Sequence, residues 1–593
     1  MNGKLMALTV AVLMLFAACG GSGANTPADA TTAPATTAKQ EQTTVAETTQ
    51  KESKAEETAA TTTATQTTAA QTTKKESVAA TTTATAAANK ANEVAAGEEP
   101  LSFSWYINYD WYSAGEWPEP GKLGEEWIKA NKNVDIKFMD PGGAASQRLA
   151  TMIIDNSYPD VICIDRGQDF DRLVAAGALV PLDAYVEGSN LEKTLGKGLI
   201  NMYRPADGKM YVFPNWALGE NFANGNGGYL VQEKYYKALG SPELKTFDDL
   251  YDYILLVKEK YPDVLPLHVG EDMNGGAAIY GGMAYGNNPG YYGNRVWAKD
   301  GALVSYFEDP SLVETFVFIN KLYRERLIPQ DIFTMMGEQR REAFRSGKVA
   351  VGVMGNICDM TNEFDMLAKE DPESIYVPIT PLTKPGLDPK AIYTNSFNRL
   401  GWNINVISKD AKNPEAIFKY LDWLFSNEGQ LVMVYGPPGD YYDYGDYNEK
   451  GFPVKMNQAY YDATDAEIAS RWCGSNWVGN TSYVDGMGIH LYNIGAPTGW
   501  VKKTQIEYIW CHSANATELS NTQPSFDSDE GMIYQAIDLI YKEAVPEIIV
   551  SPSEEACRAN IDKYIKELYD NDLQRLLDYQ TNVWKQNKLA LGY

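Results

Sequence analysis

Two periodicities alternate along this chain. Leu101 to Ile107 and Val134 to Phe138 have the composition of short strands. Asp160 to Ile164 is a nearly continuous apolar run after Tyr158-Pro159, as expected of a strand buried on both faces. Between such runs, apolar residues return every three or four positions. Leu149, Met152 and Ile153 share a helical face behind a Ser146 cap. Phe170, Leu173 and Val174 do so behind an Asp169 cap, with Gly177 placed as the stop. Thr246 and Asp249 have capping-box spacing ahead of Phe247, Leu250, Tyr251 and Ile254. Asn413-Pro414 precedes a helix with Ile417, Phe418, Leu421 and Leu424 inward. Short strands alternating with capped helices predict the α/β class. About 490 residues of such material exceed the roughly 250 to 300 that one core supports, so two lobes are expected.

The first hundred residues have a different pattern. Lys4 and the mostly apolar stretch Leu5 to Ala18 read as an export signal over residues 1–19, too short for a bilayer that needs about 20 residues. Phe16-Ala17-Ala18-Cys19-Gly20 resembles a bacterial lipobox, with Phe16 where Leu is usual. That resemblance implies lipidation of Cys19 and a membrane anchor; an ordinary secretory signal is the alternative. Residues 20–99 are largely Thr, Ala, Glu, Lys, Gln and Ser, without an aromatic residue, and are expected to be a disordered linker. The folded part is expected over residues 100–593.

Charge and composition then narrow the function. With 78 acidic against 51 basic side chains the net charge is −27, which argues against a nucleic-acid partner. Three His and six Cys leave little material for a His-built metal site or a disulfide framework. Five Cys follow Cys19, so at least one stays unpaired, and Cys163 among Ile and Val is expected to be a buried thiol. Arg345-Ser346-Gly347-Lys348-Val349 lacks the Ser or Thr that completes a phosphate loop. No Gly-x-Ser-x-Gly turn is present. Cys511-His512, read as neighbours pointing apart in a strand, makes a poor metal pair. Asp440, Asp443, Asp446, Asn448 and Glu449 crowd one loop without EF-hand spacing and read as a solvated acidic turn; a calcium site there is the alternative. No cofactor, no metal and no catalytic residue are expected.

An ordered series of segments carries a family resemblance. It runs from Tyr158-Pro159-Asp160-Val161 through Leu173 to Asp183, with Gly177, Leu179, Pro181 and Leu182 at the family's positions. Asp207-Gly208-Lys209-Met210-Tyr211-Val212-Phe213-Pro214 follows, then Phe344 to Ala350, Lys412 to Ala416, Asn427 to Gln430 and Tyr435-Gly436. In this the chain resembles the family-1, carbohydrate-type extracellular solute-binding proteins, receptors of ATP-driven importers. Gln232 to Tyr236 departs from the family's usual run, and the tail from about Asn457 is less similar. The resemblance implies two α/β lobes around a central ligand cleft, joined by hinge strands that cross near 213–230 and near 355–405. It also implies an oligosaccharide or other small solute as ligand and the transmembrane subunits of an importer as partner, outside the cell membrane.

Sugars present polar rims and apolar faces, so a receptor needs aromatic platforms beside amide, carboxylate and guanidinium groups. Just beyond the expected strands stand Tyr109, Asp110 and Trp111, then Asp165 and Arg166, then Asn215 and Trp216. Asn356, Asn395, Arg399 and Trp402 follow, with Arg471-Trp472 and Asn476-Trp477 as a further polar and aromatic group. Two readings compete with a carbohydrate receptor: a secreted glycoside hydrolase or lyase with a cleft carboxylate pair, and a receptor of the same fold for peptide or another solute.

Overall fold

The computed structural model of the chain describes residues 99–525 and 527–592. The export signal, Cys19 and nearly all of the linker lie outside the described residues.

Strands β1 (Leu101–Ile107), β2 (Val134–Met139), β3 (Val161–Asp165) and β4 (Val212–Pro214) build most of the first sheet. Phe103, Trp105, Tyr106 and Ile107 of β1 and Val161 to Ile164 of β3 are buried, so both strands have apolar layers on each face. The chain crosses over residues 215–227 into a second sheet made of β5 (Gly228–Gln232), β6 (Leu265–His268), β7 (Val349–Met354) and β8 (Tyr376–Ile379). It returns through β9 (Asn395–Phe397) into β10 (Asn403–Ile407), which inserts between β3 and β4. The first sheet is ordered β2-β1-β3-β10-β4, with β10 antiparallel to both neighbours; the second is ordered β8-β5-β7-β6, with β6 and β7 parallel. β11 (Ser513–Asn515) pairs in parallel with β9 and carries the chain back to the second lobe. Helices Asp529–Ile549, Glu554–Asp570 and Leu573–Leu591 then bury Ile537, Tyr541, Ile561, Tyr564 and Leu576 in that lobe's core. Residues 431–496 form a helical layer with its own cluster of Met433, Tyr441, Tyr442, Phe452 and Met487.

This topology positions a site. β1, β3 and β4 all end on the edge where β10 begins, and the crossing segments leave from that edge. β6 and β7 end where β5 begins, and the Asn226–Asn356 backbone bridge places that edge on the first crossing segment. The carboxyl edges of both sheets therefore meet the same connections, the place where open α/β sheets bind ligands.

Local expectations fared unevenly. Thr246 does form a capping box with Asp249, but Tyr253 takes the core position expected of Tyr251, whose hydroxyl donates to Glu325. Ser146 is not a cap: the helix begins at Ala145, whose N–H donates to Asp110 Oδ1 at 2.7 Å, a cap supplied from another loop. Asp169 lies inside the first turn behind Gly167. Cys511-His512 belongs to a 3-10 turn rather than a strand, with Cys511 exposed and His512 buried against the Ile392 carbonyl at 3.0 Å. Cys163 is fully buried, and no disulfide forms among Cys163, Cys358, Cys473, Cys511 and Cys557.

His268, at the end of β6, is fully buried, and its Nδ1 accepts the Gly270 N–H at 3.0 Å. Burial, helped by the nearby Arg340 charge, pushes its pKa down to about 4. The unfolded chain titrates this ring near 6.5, so between about pH 6.5 and 4 the unfolded state binds more protons. Its contribution is thus fully present above about 6.5 and falls by at most about 1.4 kcal/mol per unit as pH drops toward 4. His268→Gln should be less stable than the parent at pH 7, and denaturant midpoints should show the gap narrowing by pH 5. A pH-independent gap would contradict the buried neutral ring.

Candidate ligand-binding site

On the first lobe, the carboxyl ends of β1 and β3 and the start of β10 bring four aromatic rings together. Tyr109 has its ring centroid 5.2 Å from Trp111, 5.4 Å from Trp402 and 6.0 Å from Trp477, all with nearly parallel planes. Tyr112 meets Trp477 edge-on at 5.4 Å. Trp111 is the outermost ring, 52% exposed, whereas Trp477 is buried. Parallel rings with one open face form the flat apolar surface that the CH face of a sugar ring requires.

A chain of hydrogen bonds holds this surface. The Tyr109 hydroxyl donates to Asp165 Oδ1 at 2.5 Å and accepts from Asn403 Nδ2 at 3.0 Å. Asn403 Oδ1 accepts from Asn215 Nδ2 at 2.8 Å, and Asn215 Oδ1 accepts the Gly479 N–H at 2.6 Å. Asn405, two residues along β10, donates to the Trp477 carbonyl at 2.6 Å and accepts from the Trp105 indole at 3.0 Å. In a low-dielectric setting such linked bonds polarise one another and fix side-chain directions. Burial pushes the Tyr109 pKa well up, with Cys163 and Asp165 adding to it. Burial also raises Asp165, against the opposing pull of the Tyr109 bond and Arg166. Arg166 donates from Nη2 to the Gly401 carbonyl at 2.9 Å, and its own pKa is lowered by burial. Gly401 has φ +73°, and a side chain there would collide with the Asn215 carbonyl, so only glycine suits this corner.

The opposite wall belongs to the second lobe and the crossings. Beyond β7, Gly355 donates its N–H to Asn274 Oδ1 at 3.0 Å, and Asp359 donates its N–H to Asn356 Oδ1 at 3.1 Å. Both amide oxygens are thereby occupied, and the two NH2 groups have no acceptor among the described residues. Arg340 and Arg341 hold Asp359 at 3.1 and 2.8 Å and stiffen this loop. Gln505, on a π-helical turn, donates to Asn226 Oδ1 at 2.7 Å, and Asn395 donates to Ser513 Oγ at 3.2 Å between β9 and β11. The wall is built of neutral amides.

The structure thus brings together Tyr109, Trp111, Asp165, Arg166, Trp402 and Trp477, and sets Asn356 on the facing wall. Other expected contacts are corrected. Trp216 is 5% exposed, has φ +55°, and stacks on Trp472 at 5.4 Å within the helical layer, so no face is left for a ligand. Asn215 is fully buried and acts through Asn403. Asp110 spends Oδ1 on the helix at Ala145. Arg399 braces the crossings, donating from Nε to the Leu218 carbonyl at 3.4 Å and from its backbone N–H to Thr517 Oγ1 at 2.9 Å. In the acidic loop Asp440 pairs with Arg471 at 2.6 Å and Asp443 accepts from Asn457 at 3.3 Å. Among the described residues no group of three or more His, Cys, Asp or Glu side chains is arranged to hold a metal ion. Sequence reading missed Asn403, Asn274, Asn226 and Gln505. Asn403 and Asn405 were legible as one face of a strand, while a π turn has no comparable signal.

Comparison with known proteins gives a consistent picture. The sequence signature described as bacterial extracellular solute-binding protein matches residues 114–431. Lipoprotein LipO of Bacillus subtilis strain 168 is 22% identical over 327 residues, which are 53% of this chain and 62% of that protein. The match therefore spans less than two thirds of that relative's length. Among solved structures, an HMO-binding, ABC-transporter-associated solute-binding protein from Bifidobacterium longum infantis aligns at TM-score 0.56 with 16% identity, over 82% of this chain and 99% of that one. The S. pneumoniae ABC-transporter substrate-binding protein FusA, in complex with kestose, aligns at TM-score 0.56 with 19% identity and the same coverage, 82% and 99%. An extracellular solute-binding protein from Bifidobacterium longum subsp. infantis reaches TM-score 0.57 at 16% identity, over 83% of this chain and 99% of that one. These similarities establish the two-lobed fold.

The two tryptophans should separate binding from packing. Trp216→Ala removes a buried ring and should cost about 3 to 5 kcal/mol. Trp111→Ala gives up an exposed stacked ring and should cost about 0.5 to 1.5 kcal/mol. Denaturant midpoints measure both, and equal losses would contradict the assignment of Trp216 to the core.

Proposed function

We propose, from the premise that this chain belongs to the bacterial extracellular solute-binding protein family, that it is a receptor capturing an oligosaccharide between its lobes for delivery to a membrane permease. The observation that carries this reading is the pairing of a pinned aromatic surface on one lobe with an amide wall on the other, both at the sheet edges that the connecting segments pass. Aromatic rings cover the apolar faces of sugars, and amides with fixed orientation meet their hydroxyl rims. The sugar ligands named for FusA and for the HMO-binding protein support the same ligand class.

The role asks for binding and release and for no bond to be broken. Hinge closure of the lobes on the ligand would bring the amide wall to the rings, and opening would release the ligand to the permease. Anchoring through a lipid on Cys19 belongs to the same reading: Phe16 to Gly20 supports it, and so does the lipoprotein relative. Acyl chains contribute about 0.8 kcal/mol per buried methylene, so a doubly or triply acylated Cys would hold the receptor at the outer face of the membrane.

Thermal unfolding against a panel of neutral and acidic oligosaccharides, simple sugars and oligopeptides tests this. A ligand at a hundred times its Kd should stabilise the protein by about 2.7 kcal/mol. The expected result is a shift with an oligosaccharide class that is recovered intact. Recovery of shortened glycan would point to an enzyme, and a shift with peptides alone would overturn the carbohydrate reading.

A further inference from the structure

The charges around the two walls carry a conclusion about which oligosaccharides fit. We propose that the site takes uncharged oligosaccharides and discriminates against acidic ones, a specificity set by Asp165 opposite a wall of neutral amides. This rests on the carbohydrate reading above.

Consider first the aromatic wall. Asp165 commits Oδ1 to the Tyr109 hydroxyl, and Oδ2 has no partner among the described residues. A sugar hydroxyl can donate to that oxygen, whereas a ligand carboxylate or sulfate, which only accepts, meets it as a like charge. Arg166 is the cation closest to hand, but it donates to the Gly401 carbonyl at 2.9 Å, and its Nη1 is sealed from solvent. That nitrogen is therefore not presented to a ligand anion.

The other wall offers no compensation. Asn274 and Asn356 present NH2 groups because backbone N–H groups occupy their oxygens, and an amide donor serves a hydroxyl oxygen without carrying charge. Two cations near this wall are engaged by acids of the chain. Lys502 pairs with Asp485 at 2.7 Å, and Asp485 also accepts from Asn224 at 3.0 Å. Arg341 is divided between Asp359 at 2.8 Å and Glu363 at 3.2 Å. A net charge of −27 on the chain opposes approach of a polyanion as well.

The test compares sugar chains matched in backbone and differing in charge. Neutral manno-oligosaccharides and galacto-oligosaccharides of three to six units, and the corresponding oligomannuronates and oligogalacturonates, are titrated calorimetrically into the purified full chain at pH 7. For whichever backbone binds, the neutral member should bind at least about a hundredfold tighter, as expected of a like charge placed beside a partly buried carboxylate. Asp165→Asn should shrink that ratio by about tenfold by improving the acidic member, an effect that a loss of folding would not produce. Equal or tighter binding of the acidic member would overturn the specificity and leave the carbohydrate receptor standing. Binding of oligopeptides with no response to either member of any pair would overturn both.

Discussion

The hydrogen bond from the Tyr109 hydroxyl to Asp165, continued through Asn403 and Asn215 to the Gly479 N–H, is the constraint on which the ligand wall depends. It links β1, β3, β10, the end of β4 and the loop before the Thr481–Asn493 helix. These segments are far apart in sequence, and a second chain, from the Trp105 indole through Asn405 to the Trp477 carbonyl, ties β1, β10 and the same loop in parallel. Leaving one member of a buried chain unpaired costs about 1 to 3 kcal/mol, more than a typical bond contributes when made, so the five segments are held as a set. The rings of Trp402 and Trp477 are placed by that set, because each flanks a residue within it or is fixed by Asn405 on the same strand. The result is a rigid surface built from strand ends rather than from a mobile loop.

A second consequence follows from where the chain changes lobes. Residues 215–227, β9 and β11 all run past the carboxyl edges of the two sheets. The walls therefore face a shared set of connections, and rotation about those connections changes the gap between walls while leaving each wall intact. The amide ties between Gln505 and Asn226, and between Asn395 and Ser513, lie on the connections themselves. A receptor needs this separation of rigid recognition from movable closure.

How much of this was legible in the sequence depended on how local the cause was. β1 and the buried run of β3 followed from composition, because a strand covered on both faces must be apolar throughout. The rings of Tyr109, Trp111, Trp402 and Trp477 were identifiable because each stands just past a strand or in an aromatic and polar pair. Trp216 shows the limit. It satisfies the same local rule, yet the helical layer of residues 431–496 covers it, and that layer is set by contacts more than 200 residues away. Asp110 likewise looked like a ligand group and instead caps the helix at Ala145. Asn274 and Gln505 carried no signal, since their roles arise from a backbone N–H across the loop and from a π turn. Charge commitments, such as Lys502 to Asp485, became visible only with the fold.

The central claim is that one ligand touches both walls at once. Hydrogen–deuterium exchange on the full chain, with and without a bound oligosaccharide, tests it most directly. Binding should slow exchange together in residues 108–112 and 399–405 on the aromatic side and in residues 274–276 and 355–359 on the amide side. Protection confined to one lobe, or to the acidic loop around Asp440, would contradict a site between the walls.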